Sequence, residues 1–367
     1  MRIVYVLTSL GIGGAERQVL ALADRITLRG HAVTPLVLRP SLAEECSTTL
    51  EVVHLDMRKS FASFFRALLR ARSFVLRFQP DIVHSHGFHA NIFARLLKLL
   101  VPGMVVISTI HNVYEGGTLR MLAYRLTDGL SKQATAVSTA AAERFIRCKA
   151  VPRSRCIVLA NGIDAAEFCP DDKRRVAMRN EMGVREEFIW LAAGRVVPAK
   201  DYPNLLSAFS LLRAVHAHAQ LWIAGAGDPA GPKEYSVFAV ERGLVQQARW
   251  LGLRRDMPAL LDAADGFVLA SAWEGMPLAV GEAMAMAKPV VATDVGGVRE
   301  LLGDAGIVVP AGNAEAFAEA MLDVMSRSTE ERQRLGDAAR ARIEAGFRMD
   351  RRVDQWEALY QSLTPRS

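Results

Sequence analysis

Short apolar runs alternate with amphipathic stretches along almost the whole chain, and this alternation constrains the fold more than any other feature of the sequence. One series of runs begins at Arg2 and a second begins at Phe188. Strands that are apolar throughout and are separated by helices form parallel sheets with both faces covered. The sequence therefore predicts an α/β protein with two doubly wound, Rossmann-like domains in tandem.

The expected strands are bounded by glycine or polar residues. In the first series they are Arg2–Leu10, His31–Leu38, Asp81–His86, Val105–His111, Ala134–Thr139 and Cys156–Gly162. In the second series they are Phe188–Gly194, Gln220–Gly227, Ala248–Gly252, Gly266–Ser271, Pro289–Asp294 and Gly306–Pro310. Ligands of open parallel sheets bind beyond the carboxyl ends of the strands, so we expect a site in a central cleft between the two domains.

A charged, proline-marked stretch, Asp164–Glu187, separates the two series and is predicted to be a linker. We expect an N-terminal domain at residues 1–165 and a second domain at residues 166–349. Residues 350–363 are amphipathic and predict one last helix. A chain of 367 residues is long enough for two domains, each with its own core.

Cysteine spacing and hydropathy indicate a protein of a reducing compartment. Cys46, Cys148, Cys156 and Cys169 show no C-x-x-C spacing, so we expect free thiols rather than a zinc site or a disulfide framework. No uncharged apolar run approaches the roughly 20 residues of a membrane span, and the N-terminal run lacks a cleavage site. We therefore expect a cytoplasmic protein.

Positive charge is concentrated in the first part of the chain. Up to Ala165 there are 21 Lys and Arg against 11 Asp and Glu, a net charge of +10, whereas the remainder has 24 against 28, a net charge of −4. Two basic stretches rich in Phe and Leu, Arg58–Phe78 and Asn91–Leu100, are typical of membrane-surface helices, although ordinary helices with solvated arginines share the pattern. An anionic membrane surface or a phosphorylated substrate is the expected partner, and no nucleic-acid signature is present.

A glycine turn, Gly11-Ile12-Gly13-Gly14, follows the first predicted strand and opens the first helix. Backbone amides at such a helix start can bind a phosphate or a sugar, and a simple tight turn is the alternative. The third glycine of a dinucleotide-binding G-x-G-x-x-G pattern would fall at Glu16, which disfavours an NAD-linked dehydrogenase.

Two segments of the second series are candidate anion sites. Arg195 and Lys200 follow its first strand and suit a diphosphate, because arginine chelates phosphate and lysine acts as a point charge. The more specific segment begins at Glu274, where Pro277 is expected as the first helical residue and the amides around it as an anion site. Glu282 lies further along this apolar helix, so its carboxylate needs a partner, and sugar hydroxyls would serve.

Histidines collect at strand ends in the first series. His111 ends one predicted strand, where a side chain that donates, accepts or carries a proton would face the site. His84, His86 and His89 form a second group, but only Asp81 and no Cys lies near them in the sequence, which argues against a metal.

Six segments, taken in order, resemble the retaining glycosyltransferases of the GT-B fold known as family 4, or glycosyl transferases group 1. The resemblance covers nearly the whole chain. The segments are GIGGAE (Gly11–Glu16), DIVHSHG (Asp81–Gly87), NGID (Asn161–Asp164), GRVVPAKDYPNLLSAF (Gly194–Phe209), GAGD (Gly225–Asp228) and EGMPLAVGEAMAMAKPVVATDVGGVREL (Glu274–Leu301).

This resemblance implies the site residues. The catalytic residues would be Glu274, His111, Arg195 and Lys200, with the two cations on the donor diphosphate and the other two near the transferred sugar. The donor would also be bound by Gly14, Leu253, Gly275, Met276, Pro277, Leu278 and Glu282. Gly14 would approach the donor phosphate, Leu253 the base and Glu282 the ribose hydroxyls. The last helix would cross back onto the first domain.

The implied reaction moves a hexosyl or N-acetylhexosaminyl group from a nucleotide diphosphate sugar, with UDP expected, to an acceptor hydroxyl with retention of configuration. No Asp-x-Asp pair is present for a metal-bound nucleotide sugar, so neither a metal nor another cofactor is expected. The acceptor would be a glycan or a lipid-linked molecule of polysaccharide biosynthesis, and the chain would associate peripherally with the cytoplasmic face of the plasma membrane.

Two alternatives stay open at this point. A nucleotide-sugar epimerase can use the same double-domain fold, but it needs acid–base carboxylates that we place only at Glu274. A non-catalytic scaffold subunit would have a degenerate site, and the intact set of charged residues argues against it.

Overall fold

The chain divides into two compact units, which the computed structural model describes at residues 1–11, 13–40, 48–226 and 230–364. The first unit comprises Met1–Gly162 together with Met349–Ser367, and the second comprises Ile163–Arg348. The sequence placed the boundary after Ala165, and the structure places it after Gly162.

Within its described residues, the first unit contains a parallel sheet of seven strands. The strands are β1 (Arg2–Leu7), β2 (Ala32–Val37), β3 (Val53–His54), β4 (Ile82–His86), β5 (Val106–Ile110), β6 (Gln133–Ala136) and β7 (Cys156–Val158). The helices are α1 (Gly14–Leu28), α2 (Phe61–Phe78), α3 (Phe88–Leu100), α4 (Thr118–Thr127) and α5 (Thr139–Arg147). The strand order is β3-β2-β1-β4-β5-β6-β7, and every ladder is parallel.

The second unit repeats this architecture with a six-stranded parallel sheet in the residues described. The strands are β8 (Ile189–Ala193), β9 (Gln220–Ala224), β10 (Ala248–Gly252), β11 (Gly266–Leu269), β12 (Val290–Thr293) and β13 (Ile307–Val309). The helices are α6 (Asp172–Glu181), α7 (Tyr202–Arg213), α8 (Ala230–Glu241), α9 (Met257–Ala263), α10 (Leu278–Ala285), α11 (Val298–Leu302), α12 (Ala314–Ser326) and α13 (Thr329–Gly346). The strand order is β10-β9-β8-β11-β12-β13.

Each sheet has one point at which the chain reverses its direction of progress across the strands. That point lies between β1 and β4 in the first sheet and between β8 and β11 in the second. Loops leaving the carboxyl ends of two such strands diverge to opposite faces and open a crevice, which is the usual ligand site of a doubly wound sheet.

The last helix, α14 (Met349–Leu363), belongs to the first unit although it follows the whole second unit in sequence. Trp356 and Tyr360 pack into the same apolar cluster as Ile3 and Tyr5 of β1. The Tyr360 hydroxyl lies 2.9 Å from the Tyr5 hydroxyl and 2.8 Å from His84 Nδ1. The C-terminal helix is therefore part of the core of the first unit.

Several predicted strands are longer than the observed ones. The first predicted strand extends to Leu10, for example, but β1 ends at Leu7. Leu10 is nevertheless buried in the core beside β1. Hydrophobicity reports burial rather than backbone conformation, so an apolar run continues into a buried loop. The short edge strand β3 was not predicted, because two residues carry no periodic signal.

The predicted linker Asp164–Glu187 is wrong at its centre, where the chain forms helix α6 (Asp172–Glu181). The arginines of α6 attach it to the end of α9. Arg175 Nη1 donates to the carbonyls of Asp262, Ala263 and Ala264. Arg179 is 9% exposed and donates to the carbonyls of Ala263, Arg185 and Glu187. The charged segment was predicted to be a linker, whereas two of its arginines satisfy helix-end carbonyls.

Free thiols are confirmed for Cys148, Cys156 and Cys169, whereas Cys46 lies outside the described residues. Burial raises the pKa of the Cys156 thiol to about 11. Among the described helices, none is both long enough and apolar enough to cross a bilayer.

Replacing Arg179 by Met should lower the free energy of unfolding by about 3 kcal/mol, because the carbonyls and Asp265 lose a buried cationic donor. The exposed Arg185→Ala variant is the matched control and should change it by less than about 0.5 kcal/mol. Urea denaturation of the two variants measures the difference. Equal stability of both variants would mean that α6 behaves as a linker after all.

Candidate functional site

The candidate anion-binding residues of the second unit lie at the carboxyl edge of its sheet, beside the reversal between β8 and β11. Arg195 and Lys200 follow β8, and Glu274 follows β11. Leu253 directly follows β10 at the same edge and is half-buried. Parallel strands deliver the loops that follow them to one edge, so residues distant in sequence meet there.

The structure joins Lys200 and Glu274 directly. Lys200 Nζ donates to Glu274 Oε1 at 2.6 Å, and both side chains are mostly buried. The Ser271 hydroxyl donates to the same oxygen at 2.7 Å. A buried carboxylate needs such partners, because its desolvation is otherwise costly. The pair therefore holds both side chains in one place.

Backbone contacts fix the two loops that carry this pair. The amide of Ala272, after β11, donates to the carbonyl of Ala199, after β8, at 2.8 Å. The hydroxyl of Thr293, at the end of β12, donates to the Ser271 carbonyl at 2.6 Å. The Tyr202 hydroxyl donates to the Gly194 carbonyl at 2.8 Å. Burial raises the pKa of this phenol, so Tyr202 stays a neutral donor.

Two glycines, Gly225 after β9 and Gly296 after β12, let neighbouring loops closely approach the loops that follow β8 and β11. A Cβ on Gly225 would lie 1.9 Å from the Gly194 carbonyl oxygen, and one on Gly296 would lie 2.1 Å from the Glu274 carbonyl oxygen. Gly296 also has a φ of +55°. The next amide, of Gly297, donates to the Gly275 carbonyl at 2.7 Å. Gly296 and Gly297, which follow β12, thus pack directly against the backbone of Glu274 and Gly275.

Helix α10 begins one residue later than expected. Pro277 is its N-cap, with an extended backbone, and Leu278 is the first helical residue. The helix start has no side-chain cap, which leaves its amides to other partners. Gly275, Met276 and Pro277 are all buried in the turn before it. This turn carries the positive end of a helix dipole beside Lys200 and Glu274.

Arg195 and Glu282 differ sharply in their surroundings. Arg195 is exposed, and its guanidinium makes no hydrogen bond or ion pair with any residue that the structure describes. Glu282 lies on the apolar helix α10 and is only 5% exposed. Lys200 is paired with Glu274, whereas Arg195 has no such partner among the described residues.

Sequence reasoning did not identify Ser271, Thr293, Tyr202 and Gly296 as parts of the site. Tyr202, Thr293 and Gly296 lie within the family-like segments, and the place of Gly296 in a diglycine was the one available signal. The other three side chains act only through contacts between separate strand ends, which local sequence does not encode.

Gly14 and His111 lie in the first unit. Gly14 is the exposed first residue of α1, and Gly13 before it is an extended N-cap without a side-chain hydrogen bond. His111 directly follows β5 and its backbone amide donates to Glu115 Oε1 at 2.9 Å. Desolvation lowers the pKa of His111 to about 4, so the imidazole is neutral at physiological pH.

His84 and His86 are buried on β4 rather than displayed for ligand binding. His84 Nε2 lies 2.6 Å from the Thr109 hydroxyl, and His86 Nδ1 lies 3.0 Å from His111 Nε2. Among the described residues, no group of three or more His, Cys, Asp or Glu is arranged to hold a metal ion. His89, the third histidine of the motif, is exposed on α3.

Two family models match the chain. One described as Glycosyltransferase Family 4 matches residues 12–167, and one described as Glycosyl transferases group 1 matches residues 187–327. Together these matches span most of both units.

Known proteins match over most of the chain. The UDP-Gal:alpha-D-GlcNAc-diphosphoundecaprenol alpha-1,3-galactosyltransferase of Escherichia coli is 25% identical over 82% of this chain and 79% of its own length. The putative glycosyltransferase EpsD of Bacillus subtilis is 27% identical over 78% and 77%. Anabaena HepE, solved in complex with UDP-glucose, has a TM-score of 0.88 at 19% identity and covers 99% of this chain and 100% of its own. This structural similarity confirms the GT-B fold.

Replacing Gly296 by Ala should destabilise the protein far more than replacing Gly312 by Ala. Both glycines have a positive φ, which costs about 1 kcal/mol for Ala, but Gly312 has open space around its Cβ position. At Gly296 the methyl group collides with the Glu274 carbonyl, and we expect a further loss of at least about 2 kcal/mol. Chemical denaturation of both variants tests this, and equal losses would remove the supporting role of Gly296.

Proposed function

Since the chain belongs to the family 4 and group 1 glycosyltransferases, we propose that it transfers a sugar from a UDP-sugar to an acceptor hydroxyl and retains the anomeric configuration. The observation that carries this proposal is the grouping of Arg195, the Lys200–Glu274 pair and the uncapped start of α10 at one strand edge. The names of two similar proteins support UDP, because one uses UDP-Gal and the other was solved with UDP-glucose.

The proposed role of the two cations is to stabilise the departing diphosphate. As the bond from the anomeric carbon to phosphate oxygen breaks, negative charge grows on that oxygen. Arg195 can chelate phosphate oxygens with its planar fork of donors, and Lys200 adds a point charge. The amides at the start of α10 add a fixed positive dipole. Because these groups neutralise the diphosphate, the proposal includes no metal.

Glu274 has a separate proposed role. Its carboxylate already accepts from Lys200 and Ser271, so it orients the lysine before the donor arrives. Gly275, Met276, Pro277 and Leu278 follow it directly and are proposed to contact the sugar and phosphate. Glu282 is proposed to bind the ribose hydroxyls, and Leu253 to lie near the base. Gly14 is proposed to place its amide near the donor phosphate.

The acceptor proton goes to the leaving diphosphate in this mechanism. The acceptor oxygen forms a bond to the anomeric carbon on the face from which the diphosphate departs, and its hydrogen transfers to a phosphate oxygen. Configuration is thereby retained without an enzyme nucleophile. His111, neutral and half-buried, is proposed to hydrogen-bond the transferred sugar rather than to remove the proton.

The proposed acceptor is a glycan or a lipid-linked molecule of polysaccharide biosynthesis, and the transferred group is a hexosyl or N-acetylhexosaminyl residue. The name of the Escherichia coli relative describes an acceptor on diphosphoundecaprenol.

A donor screen tests the reaction: the protein is incubated with UDP-, GDP- and ADP-sugars and short lipid-linked acceptors, and nucleoside diphosphate release and product anomer are measured. An interconverted nucleotide sugar without release would indicate an epimerase. Failure to bind any nucleoside diphosphate would indicate a scaffold.

Replacing Arg195 by Ala should weaken UDP binding by a factor of about 10 to 100, since a charge-assisted contact to phosphate is lost. The fold should be unaffected, because the side chain is exposed and has no partner among the described residues. Arg334→Ala removes another exposed arginine, on α13, and is the control. Isothermal titration with UDP measures both, and unchanged affinity in Arg195→Ala would contradict the proposed role.

We further propose that the first unit docks on an anionic membrane through helix α2, at the cytoplasmic face of the plasma membrane. Phe61, Phe65, Leu69 and Leu76 are exposed on one side of this helix, at 87%, 62%, 60% and 46%. Arg66 and Arg77 are exposed beside them, and α2 contains no acidic residue. Its opposite face is packed in the core through Ala67, Leu68, Ala71 and Val75. An apolar stripe flanked by arginines suits lipid headgroups and acyl chains.

The variant Phe65→Ser/Leu69→Ser should bind anionic vesicles on the order of tenfold more weakly than the wild type, because it buries less apolar area in the bilayer. Val176→Ser/Val215→Ser removes exposed apolar side chains of the second unit and should bind normally. Vesicle co-sedimentation measures the binding, and raising the salt to about 1 M should abolish it. No binding of the wild type at low salt would exclude this membrane contact.

A further inference from the structure

We propose that His86 is a positioning residue whose Nδ1–H donates to His111 Nε2 and so keeps the proton of His111 on its Nδ1 atom. This inference deepens the proposed function, because its consequence for catalysis depends on the role given to His111. The hydrogen bond and the proton position do not depend on that role.

The geometry follows from the pairing of β4 with β5. His86 is paired with Thr109 in the parallel ladder, and His111 stands two residues further along, just beyond β5. His86 Nδ1 and His111 Nε2 lie 3.0 Å apart, within hydrogen-bond distance. The Glu115 carboxylate accepts from the His111 amide and holds the loop in place. His86 is therefore held by a strand, and His111 by a loop that Glu115 fixes.

Packing keeps the three imidazoles neutral. The rings of His84 and His86 lie 4.0 Å apart, and the His84 ring lies 4.5 Å from the Trp356 ring of α14. Burial lowers the pKa of His84 and His86 well below the ordinary value, and neighbouring histidines add to this. In a neutral pair only one nitrogen of the contact carries a proton, so the question is which ring donates.

The other nitrogen of His86 decides between the two arrangements. His86 is 6% exposed, and its Nε2 is buried without a hydrogen-bond partner among the described residues. If His111 donated, His86 would carry its proton on this Nε2, as a buried N–H with no protein acceptor. If His86 donates, its Nε2 is an unprotonated acceptor instead. A buried orphan N–H is the rarer and costlier state, so His86 donates.

The consequence is a defined hydrogen-bonding character for His111. Its Nε2 lone pair is used by His86, and its proton is on Nδ1. His111 Nδ1 makes no hydrogen bond with any described residue, so this N–H is available to a bound molecule. His111 can then donate to an oxygen atom, but its one lone pair is engaged by His86 and is not free to accept a proton. This agrees with a mechanism in which the leaving phosphate takes the acceptor proton.

A small cavity adjoins this pair. Its volume is about 10 Å³, and its lining includes Gln18, Thr109, Asn161 and Trp356 as well as the two histidines. A space of this size holds roughly one water molecule.

The test determines directly which ring nitrogen of His111 carries the proton. Two-bond ¹H–¹⁵N correlation spectra of protein labelled with ¹⁵N-histidine distinguish protonated from bare ring nitrogens, and His111→Asn identifies the His111 signals. We expect His111 protonated on Nδ1 in the wild type. In His86→Phe this preference should be lost, and kcat should fall on the order of tenfold. His86→Asn keeps an N–H near the Nδ1 position and should restore both.

His89→Asn alters an exposed histidine on α3 and is the control, for which the His111 signals and kcat should be unchanged. A wild-type His111 protonated on Nε2 would overturn the inference, as would a His86→Phe variant that keeps the Nδ1–H form. The wild-type spectrum decides even if His86→Phe fails to fold. An Nδ1–H His111 in a protein that transfers no sugar would refute the proposed function alone, whereas an Nε2–H His111 in an active transferase would refute this inference alone.

Discussion

The ion pair between Lys200 and Glu274 joins the loops that leave the adjacent strands β8 and β11, and the candidate anion site of the second unit depends on it. Neither charge is stable alone in a mostly buried position. Each therefore requires the other, and Ser271 adds a third contact on the same carboxylate oxygen. The reversal of strand order places these two loops side by side. The start of α10 and Arg195 are positioned as consequences of that arrangement.

The first unit follows a related principle with neutral groups in place of ions. His84, His86, Thr109 and Thr135 belong to the paired strands β4, β5 and β6, and the hydroxyls of the two threonines lie 2.6 Å apart. Tyr360 reaches this network from the last helix of the chain. Buried polar groups must be hydrogen-bonded, so a polar core of this kind restricts ring orientation and proton position together.

Local sequence was sufficient for some of these features and misleading for others. Apolar runs located the central strands, and the segment around Glu274 located the helix start because glycine, proline and an apolar helix follow in order. The α6 segment was predicted to be a linker because it is charged and marked by a proline. The actual partners of its arginines are carbonyls of Asp262, Ala263 and Ala264, more than eighty residues away in sequence. A contact of that kind leaves no periodic signal.

The sequence by itself determined that two parallel α/β sheets form, that glycine turns and cations follow particular strands, and that the motifs are those of a GT-B glycosyltransferase. Local hydrophobicity and short motifs determine these properties, because strand burial and helix starts depend on residues that are neighbours in the sequence. Only the tertiary structure decided that Lys200 is paired with Glu274, that Gly296 supports that loop, and that His86 contacts His111. The reason is physical: parallel strands bring together residues from separate βα units, and the distances at a shared strand edge are set by packing rather than by separation along the chain.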